Sequence, residues 1–342
     1  MEQNFQTIVS PLLSWYAQSA RDLPWRKTSD PYAIWVSEIM LQQTRVEAVK
    51  EYYLRFLEQF PTVTTLADAP EDAVLKRWEG LGYYSRARNL HKAAQVIRDE
   101  YQSRLPASFS ELKKLPGIGE YTAGAISSIA FGLPVPAVDG NVLRVLSRVL
   151  ADRRPITDPA VKKEYGKNLK SVYPIGACSE FTQSLMELGA MVCVPNGAPG
   201  CGNCPLSFCC LAYQNALTEE IPNVPEKKKR KIEKKTVFLL TCGEKTAIQK
   251  RPDTGLLAKL WELPSAAGYL SEQEAKDWLA EHGIAFCSIQ KSVSKTHIFT
   301  HIEWHMHSFL VQCTEESPGF FWADQTALSE QYALPTALKQ FL

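Results

Sequence analysis

Four cysteines within eighteen residues, Cys193, Cys201, Cys204 and Cys210, constrain this chain more than any other feature. A backbone that gathers four thiols so closely has to curl round a common centre. The intervening pieces, Val194 to Gly200, Gly202-Asn203 and Pro205 to Cys209, carry Gly and Pro and little apolar bulk, which suits a ligand loop better than a set of buried free thiols. Spacing alone leaves tetrahedral zinc and an iron-sulfur cluster both open, and Cys209, next to Cys210, is a second candidate for the fourth ligand. Cys178, Cys242, Cys287 and Cys313 stand alone and read as small core residues. Nine cysteines distributed in this way fit a reducing compartment with a metal site rather than a disulfide framework.

The loop sits near the end of a helical half. Apolar residues recur at three- and four-residue spacing in Ile8, Leu12, Tyr16, in Trp35, Ile39, Met40 and in Tyr53, Phe56, Phe60, with Pro or Gly connectors between the runs. Residues 1–220 are therefore expected to form one mostly α domain. From Ile221 to Lys235 the sequence becomes IPNVPEKKKRKIEKK, seven basic residues against two acidic, which predicts an exposed linker, either a plain tether or a phosphate contact. Residues 236–342 change to short β-rich runs at Thr236 to Thr241, Thr246 to Lys250, His297 to Ile302 and Met306 to Val311, with one helix over Ser271 to His282, as in a separate α+β domain. The net charge is only +1, so a polyanion partner has to meet a local patch. With no basic leader and no stretch of 18 apolar residues, a cytoplasmic protein without a membrane span is expected.

Between Leu115 and Arg148 two further signals lie close together. Leu115-Pro116-Gly117-Ile118-Gly119 predicts a tight turn between helices, and its N-H groups, backed by the helix running from Tyr121 to Phe131, suit a phosphate. Asp139, with Asn141 beside it, precedes a second apolar helix and reads as its N-cap or as a catalytic acid.

A helix-hairpin-helix with a downstream Val-Asp, followed by a four-cysteine loop, resembles the endonuclease III superfamily of DNA glycosylases. That resemblance implies a 4Fe-4S cluster as cofactor. The family has six residues between the first two cysteines and this chain has seven, while Cys210 keeps the remaining spacings. Leu23-Pro24-Trp25-Arg26, Ser37-Glu38-Ile39-Met40-Leu41-Gln42-Gln43-Thr44 and Gly80-Leu81-Gly82-Tyr83-Tyr84 further resemble the MutY branch, the adenine glycosylases. Lyase-type relatives place a lysine nucleophile two residues after the second hairpin glycine. Tyr121 stands there in this chain, removing the amine a Schiff base needs.

The resemblance implies roles for residues whose own chemistry is compatible with them. Glu38, among Ile39, Met40 and Leu41, should have a raised pKa and act as an acid, while Asp139 at a helix start should stay ionised and stabilise a sugar cation. Without the family, Glu38 reads as a surface acid and Tyr83-Tyr84 as core aromatics. Trp25, Arg26 and Gln183 are implied to line an adenine pocket, and Gln43 and Tyr83 to wedge into the duplex. The C-terminal part resembles a Nudix-type fold, but Lys276 to Ile284 lacks the glutamates of a pyrophosphatase helix, so hydrolysis there is not expected. Phe299, Thr300 and His301 resemble the family's reader of 8-oxoguanine, where serine is commoner than threonine. The expectation is a monomeric, monofunctional enzyme removing adenine opposite 8-oxoguanine or guanine in double-stranded DNA. A bifunctional lyase and a non-catalytic lesion-binding protein are the alternatives.

Overall fold

A computed structural model describes residues 2–225 and 229–342, in two compact units: Met1–Asp68 with Asn89–Glu226, and Ala69–Arg88 with Lys227–Leu342. The helices run α1 Glu2–Ser19, α2 Pro31–Leu41, α3 Val46–Gln59, α4 Val63–Asp68, α5 Glu71–Arg77, α6 Ser85–Glu100, α7 Phe109–Leu112, α8 Glu120–Ile129, α9 Gly140–Leu150, α10 Pro159–Val172, α11 Cys178–Met191 and α12 Leu211–Gln214. In the first unit Ile8, Leu12, Val145, Leu146, Phe181 and Leu185 pack the inner faces of α1, α9 and α11 into one core.

The expected hairpin is α7, a turn and α8. Leu115 and Ile118 point inward and pin the turn. Gly117 has φ +76°, and a Cβ there would come within 2.6 Å of the Asn89 Cβ, so this position needs glycine twice over. Gly119, the N-cap of α8 with φ −89°, faces open space on its side-chain side.

The second unit is built on a mixed sheet of strands β1 Lys231–Cys242, β2 Lys245–Lys250, β3 Trp261–Glu262, β4 Ser265–Ala267, β5 Phe286–Ile298, β6 Ile302–Cys313 and β7 Phe321–Asp324. Its order is β3-β2-β1-β6-β5, with β1 and β6 parallel; β4 pairs with β1 and β7 with β2. Side chains alternate as the pleat demands: Val237 joins a core with Trp304 and Leu334, while Phe238 joins one on the opposite face with Leu279 and Phe309. Helix α13, Glu272–Glu281, starts with a capping box between Ser271 and Glu274. Two short helices, α14 Gln325–Glu330 and α15 Thr336–Lys339, complete the chain.

Several expectations change. The basic run is not wholly a tether, because Lys231 already opens β1, and Lys234 and Lys235 lie over the rings of Tyr269 and Trp304. Glu226, Lys227 and Lys228 of that run lie outside the described residues. His297 to Ile302 is not one strand: residues 299–301 form the β5–β6 turn, closed by the Phe299 N-H donating to the Ile302 carbonyl at 2.8 Å. Cys287 is exposed rather than a core residue. Ala69–Arg88, expected in the helical domain, groups with the sheet unit through polar anchors: the Lys76 ammonium donates to the Tyr332 carbonyl, Lys250 pairs with Asp72, and Lys259 with Glu71.

Gly117→Ala is expected to lower stability in urea titrations by roughly 1–3 kcal/mol, from the left-handed backbone and the clash with Asn89. Gly119→Ala, with no clash and no left-handed backbone, should cost less, about 0.5–1 kcal/mol, from the poorer N-cap alone.

Candidate active site

Helix α2 begins where Asp30 accepts the Tyr32 N-H and Pro31 takes the first turn. From Tyr32 to Met40 every residue is buried, so the helix has no wet face, and Glu38 is 5% exposed within it. A carboxyl placed there loses most of its hydration. Burial pushes the Glu38 pKa up to about 7; the Tyr121 hydroxyl, donating to its Oε2 at 2.7 Å, pulls the other way, and the nearby Asp139 pushes it up again. The expectation of a surface acid is therefore excluded, and Tyr121 stands directly against the acid.

Asp139 takes the N-cap place and also faces the Glu38 cavity. It caps α9, accepting the Val142 N-H at 2.7 Å and the Asn141 Nδ2 at 2.8 Å, and it lines the same cavity as Glu38. The expected preference for the ionised form is corrected in one respect: burial raises the Asp139 pKa, and the bonds from Val142 and Asn141, with the charge of Arg144, only partly oppose it. Arg144 was not singled out by the sequence. Its guanidinium donates to Asn141 Oδ1 at 2.7 Å, to the Gly189 carbonyl at 2.8 Å and to the Cys193 carbonyl at 2.7 Å, so it ties the aspartate's partner to the start of the cysteine loop.

The cavity enclosing both acids measures about 640 Å³. Trp25, Arg26 and Gln183 reach its wall, and so does Gln43, which the resemblance assigns to the duplex instead. Trp25 packs edge-on against Tyr53, and Gln183 accepts from the Tyr16 hydroxyl at 3.1 Å while donating to Ser179 at 3.0 Å. Arg26 is not a free surface cation. Together with Arg21 it grips Glu187, each arginine making a 2.7 Å bond to Oε2. Burial would raise the Glu187 pKa, but the Arg21 and Arg26 bonds hold it down at about 2. Glu187, 1% exposed and on the cavity wall, was also missed; nothing in the pattern of α11 marks an acid as buried. Gln43 has φ +58°, a left-handed conformation that non-glycine residues adopt mainly where function or tight packing holds them.

Tyr83, Phe299, Thr300 and His301 belong to the second unit, where with Leu256 and Leu257 they line a cavity of about 660 Å³. Tyr83 is not the core aromatic its local sequence suggests. It is 43% exposed, has φ +49°, and its hydroxyl lies 2.6 Å from Thr300 Oγ1. Phe299 is held edge-on between His297 and Trp304. Of the acids of α13, Glu274 serves the cap, Glu272 pairs with Lys276 and Asp277 accepts from Gln273.

Cys193, Cys201, Cys204 and Cys210 face one small cavity, whereas the Cys209 thiol turns to the Leu206 carbonyl. Arg148 donates to Cys193 Sγ at 3.3 Å. The donor set fits a thiolate-bound cluster.

Comparison with known proteins bears on this geometry. Residues 36–171 match the HhH-GPD superfamily of base excision DNA repair proteins, and residues 236–342 match a NUDIX domain. The adenine DNA glycosylase of Buchnera aphidicola subsp. Baizongia pistaciae is 36% identical over 89% of this chain and 84% of its own length. That of Mus musculus is 34% identical over 97% of this chain and 76% of its own. The chain belongs to the adenine DNA glycosylase family. A solved non-covalent complex of endonuclease III with DNA aligns with a TM-score of 0.55 and 25% identity, covering 64% of this chain and 98% of that one. Membership makes this a base excision repair glycosylase that binds DNA, with a helical HhH-GPD module and a Nudix-like module carrying a mixed sheet. Among the described residues no helix is long and apolar enough to cross a membrane.

The shifted Glu38 has a consequence for folding. Its pKa rises from 4.5 unfolded to about 7 folded, so between those values the native state keeps a proton that the unfolded state has released. Stability must then fall as pH rises through this window, by on the order of 3 kcal/mol in total. Urea melts of wild type and Glu38→Gln from pH 4.5 to 7.5 should diverge accordingly, with the shallower pH dependence in the variant.

Proposed function

We propose that this protein excises adenine paired with 8-oxoguanine, or with guanine, from duplex DNA without cutting the strand. The observation that carries the reading is a buried carboxylic acid with its pKa near neutrality in the same cavity as a second, N-capped carboxylate. Hydrolysis of an N-glycosidic bond needs such a pair, one proton donor to the leaving base and one anion beside the sugar cation.

The adenine is swung out of the stack into the 640 Å³ cavity, where Trp25, Arg26 and Gln183 bound the base. Glu38, protonated, donates to adenine N7 as the bond from C1′ to the base breaks and its electron pair leaves with the adenine. Tyr121, hydrogen-bonded to Glu38 Oε2, orients that acid and offers no amine for an imine. Asp139, held by Val142 N and Asn141, stabilises the oxocarbenium ion or bonds to it briefly. Water then adds at C1′ and loses its proton. Gly117 and Gly119 present the hairpin N-H groups to a backbone phosphate, and Gln43 and Tyr83 wedge beside the opposite base. Phe299, Thr300 and His301 read 8-oxoguanine from the second cavity. One copy of the chain supplies every group named, consistent with a monomer.

Cys193, Cys201, Cys204 and Cys210 would hold a 4Fe-4S cluster: four thiols line one cavity with no histidine among its lining residues, the donor set such a cluster takes. Bound there, it would fix the loop that Arg144 joins to Asn141. Cys210→Ser should lose the visible iron-sulfur absorbance and bound iron, and Cys209→Ser should keep both.

Single-turnover adenine release from A:8-oxoguanine and A:G duplexes tests the function. Glu38→Gln and Asp139→Asn should each slow release by roughly 10²–10⁴-fold, and the wild-type rate should decline as pH rises through about 7, where Glu38 loses its proton. Strands should stay intact until alkali is added. Wild-type rates in both variants would sink the assignment.

A further inference from the structure

Among the cations on the wall of the Glu38 cavity, one has no counterpart. Arg21 and Arg26 are bound to Glu187, and Arg144 to Asn141 and three carbonyls. Lys162, on the first turn of α10, also reaches the cavity wall and is partly buried, and among the described residues its ammonium has neither an ion pair nor a hydrogen bond. Its place is fixed by packing. Gly166, one turn further along α10, lies against Val138, with 3.9 Å between an added Cβ and the valine side chain, so Lys162 projects beside Val138-Asp139-Gly140.

Desolvating a lysine is unfavourable unless an anion arrives to meet it. Asp139 is already served by Val142, Asn141 and Arg144, and Glu38 by Tyr121. A deoxynucleotide extruded into this cavity brings its own fixed anions, the phosphodiesters on either side of its sugar. We propose that Lys162 binds one of the two phosphates flanking the extruded nucleotide, a substrate-positioning contact next to Asp139; this rests on reading the cavity as the site of a flipped nucleotide. The contact holds the strand in its distorted course while the base is in the pocket. It differs from the hairpin contact of Gly117 and Gly119, which is made by backbone N-H groups rather than by a side-chain charge.

The test is binding of the full-length protein to a duplex carrying an uncleavable 2′-fluoro-adenosine analogue, measured across a range of salt. Lys162→Met should weaken binding several-fold and reduce the slope of log Kd against log salt by about 0.9, one phosphate's worth, and Lys162→Arg should restore most of both. A methylphosphonate at the 5′ or the 3′ flanking phosphate should weaken wild type while leaving Lys162→Met unchanged. An unaltered salt slope in Lys162→Met, or additivity with both methylphosphonates, overturns the phosphate assignment. Borohydride capture of a Lys162–DNA adduct would also overturn it, by making the amine a nucleophile. Adenine release by wild type is followed on the cleavable duplex in parallel: its absence would defeat the functional reading itself, whereas normal release with an unaltered slope defeats only the role of Lys162.

Discussion

Two carboxylic acids buried in one cavity set the terms for the helical unit. An ionised carboxylate out of water costs several kcal/mol unless hydrogen bonds or charges replace its hydration. Where each acid sits on its helix decides what the backbone can offer. Glu38 lies in the interior of α2, where every nearby N-H is already committed to the helix, and only the Tyr121 hydroxyl reaches it. Asp139 lies at the start of α9, where N-H groups are unsatisfied by construction, and it takes the one from Val142. The same burial thus favours a neutral acid at one position and tolerates an anion at the other, which is the division of labour that base excision demands.

The surrounding charges are arranged to protect that difference. Glu187 engages Arg26, whose charge draws Glu38 towards ionisation, together with Arg21. Arg144 acts on Asp139 largely through Asn141, and its bond to the Cys193 carbonyl gives the cysteine loop a mechanical stake in where Asn141 points. Whatever stiffens residues 193–210 therefore stiffens the aspartate as well.

Local sequence was enough for the hairpin, the Asp139 helix start, the α/β switch and the thiol loop, because each depends on residues within one turn or one loop of each other. Gly117 announces its left-handed turn, and Asp139-Gly-Asn its helix start. Glu187 and Arg144 were not legible: a Glu in α11 and an Arg in α9 look like solvent-facing residues until partners more than forty positions away are placed against them. Tyr83 failed for the same reason, since a Tyr-Tyr pair gives no sign that one ring is buried and its neighbour exposed. Thr300 read as part of a strand because the turn it occupies is closed by backbone bonds that leave no mark on side-chain alternation.

The boundary between the two halves illustrates how function and chain order part company. A linker at 221–235 implies that everything before it serves the catalytic half, yet Ala69–Arg88 packs with the sheet unit. The anchors are charges and carbonyls: Lys76 to Tyr332, Glu79 to the Leu334 N-H, Arg88 to the Ala258 carbonyl. They hold Tyr83 in a left-handed conformation, with its hydroxyl against Thr300, at a cost that only a rigid surround can sustain. A threonine in place of the family's commoner serine keeps that hydroxyl and adds a methyl that limits its rotamers, so the pair becomes one preset unit rather than two mobile side chains. The Tyr83 ring and the Thr300 turn are then a single piece of structure, assembled from two distant stretches of chain.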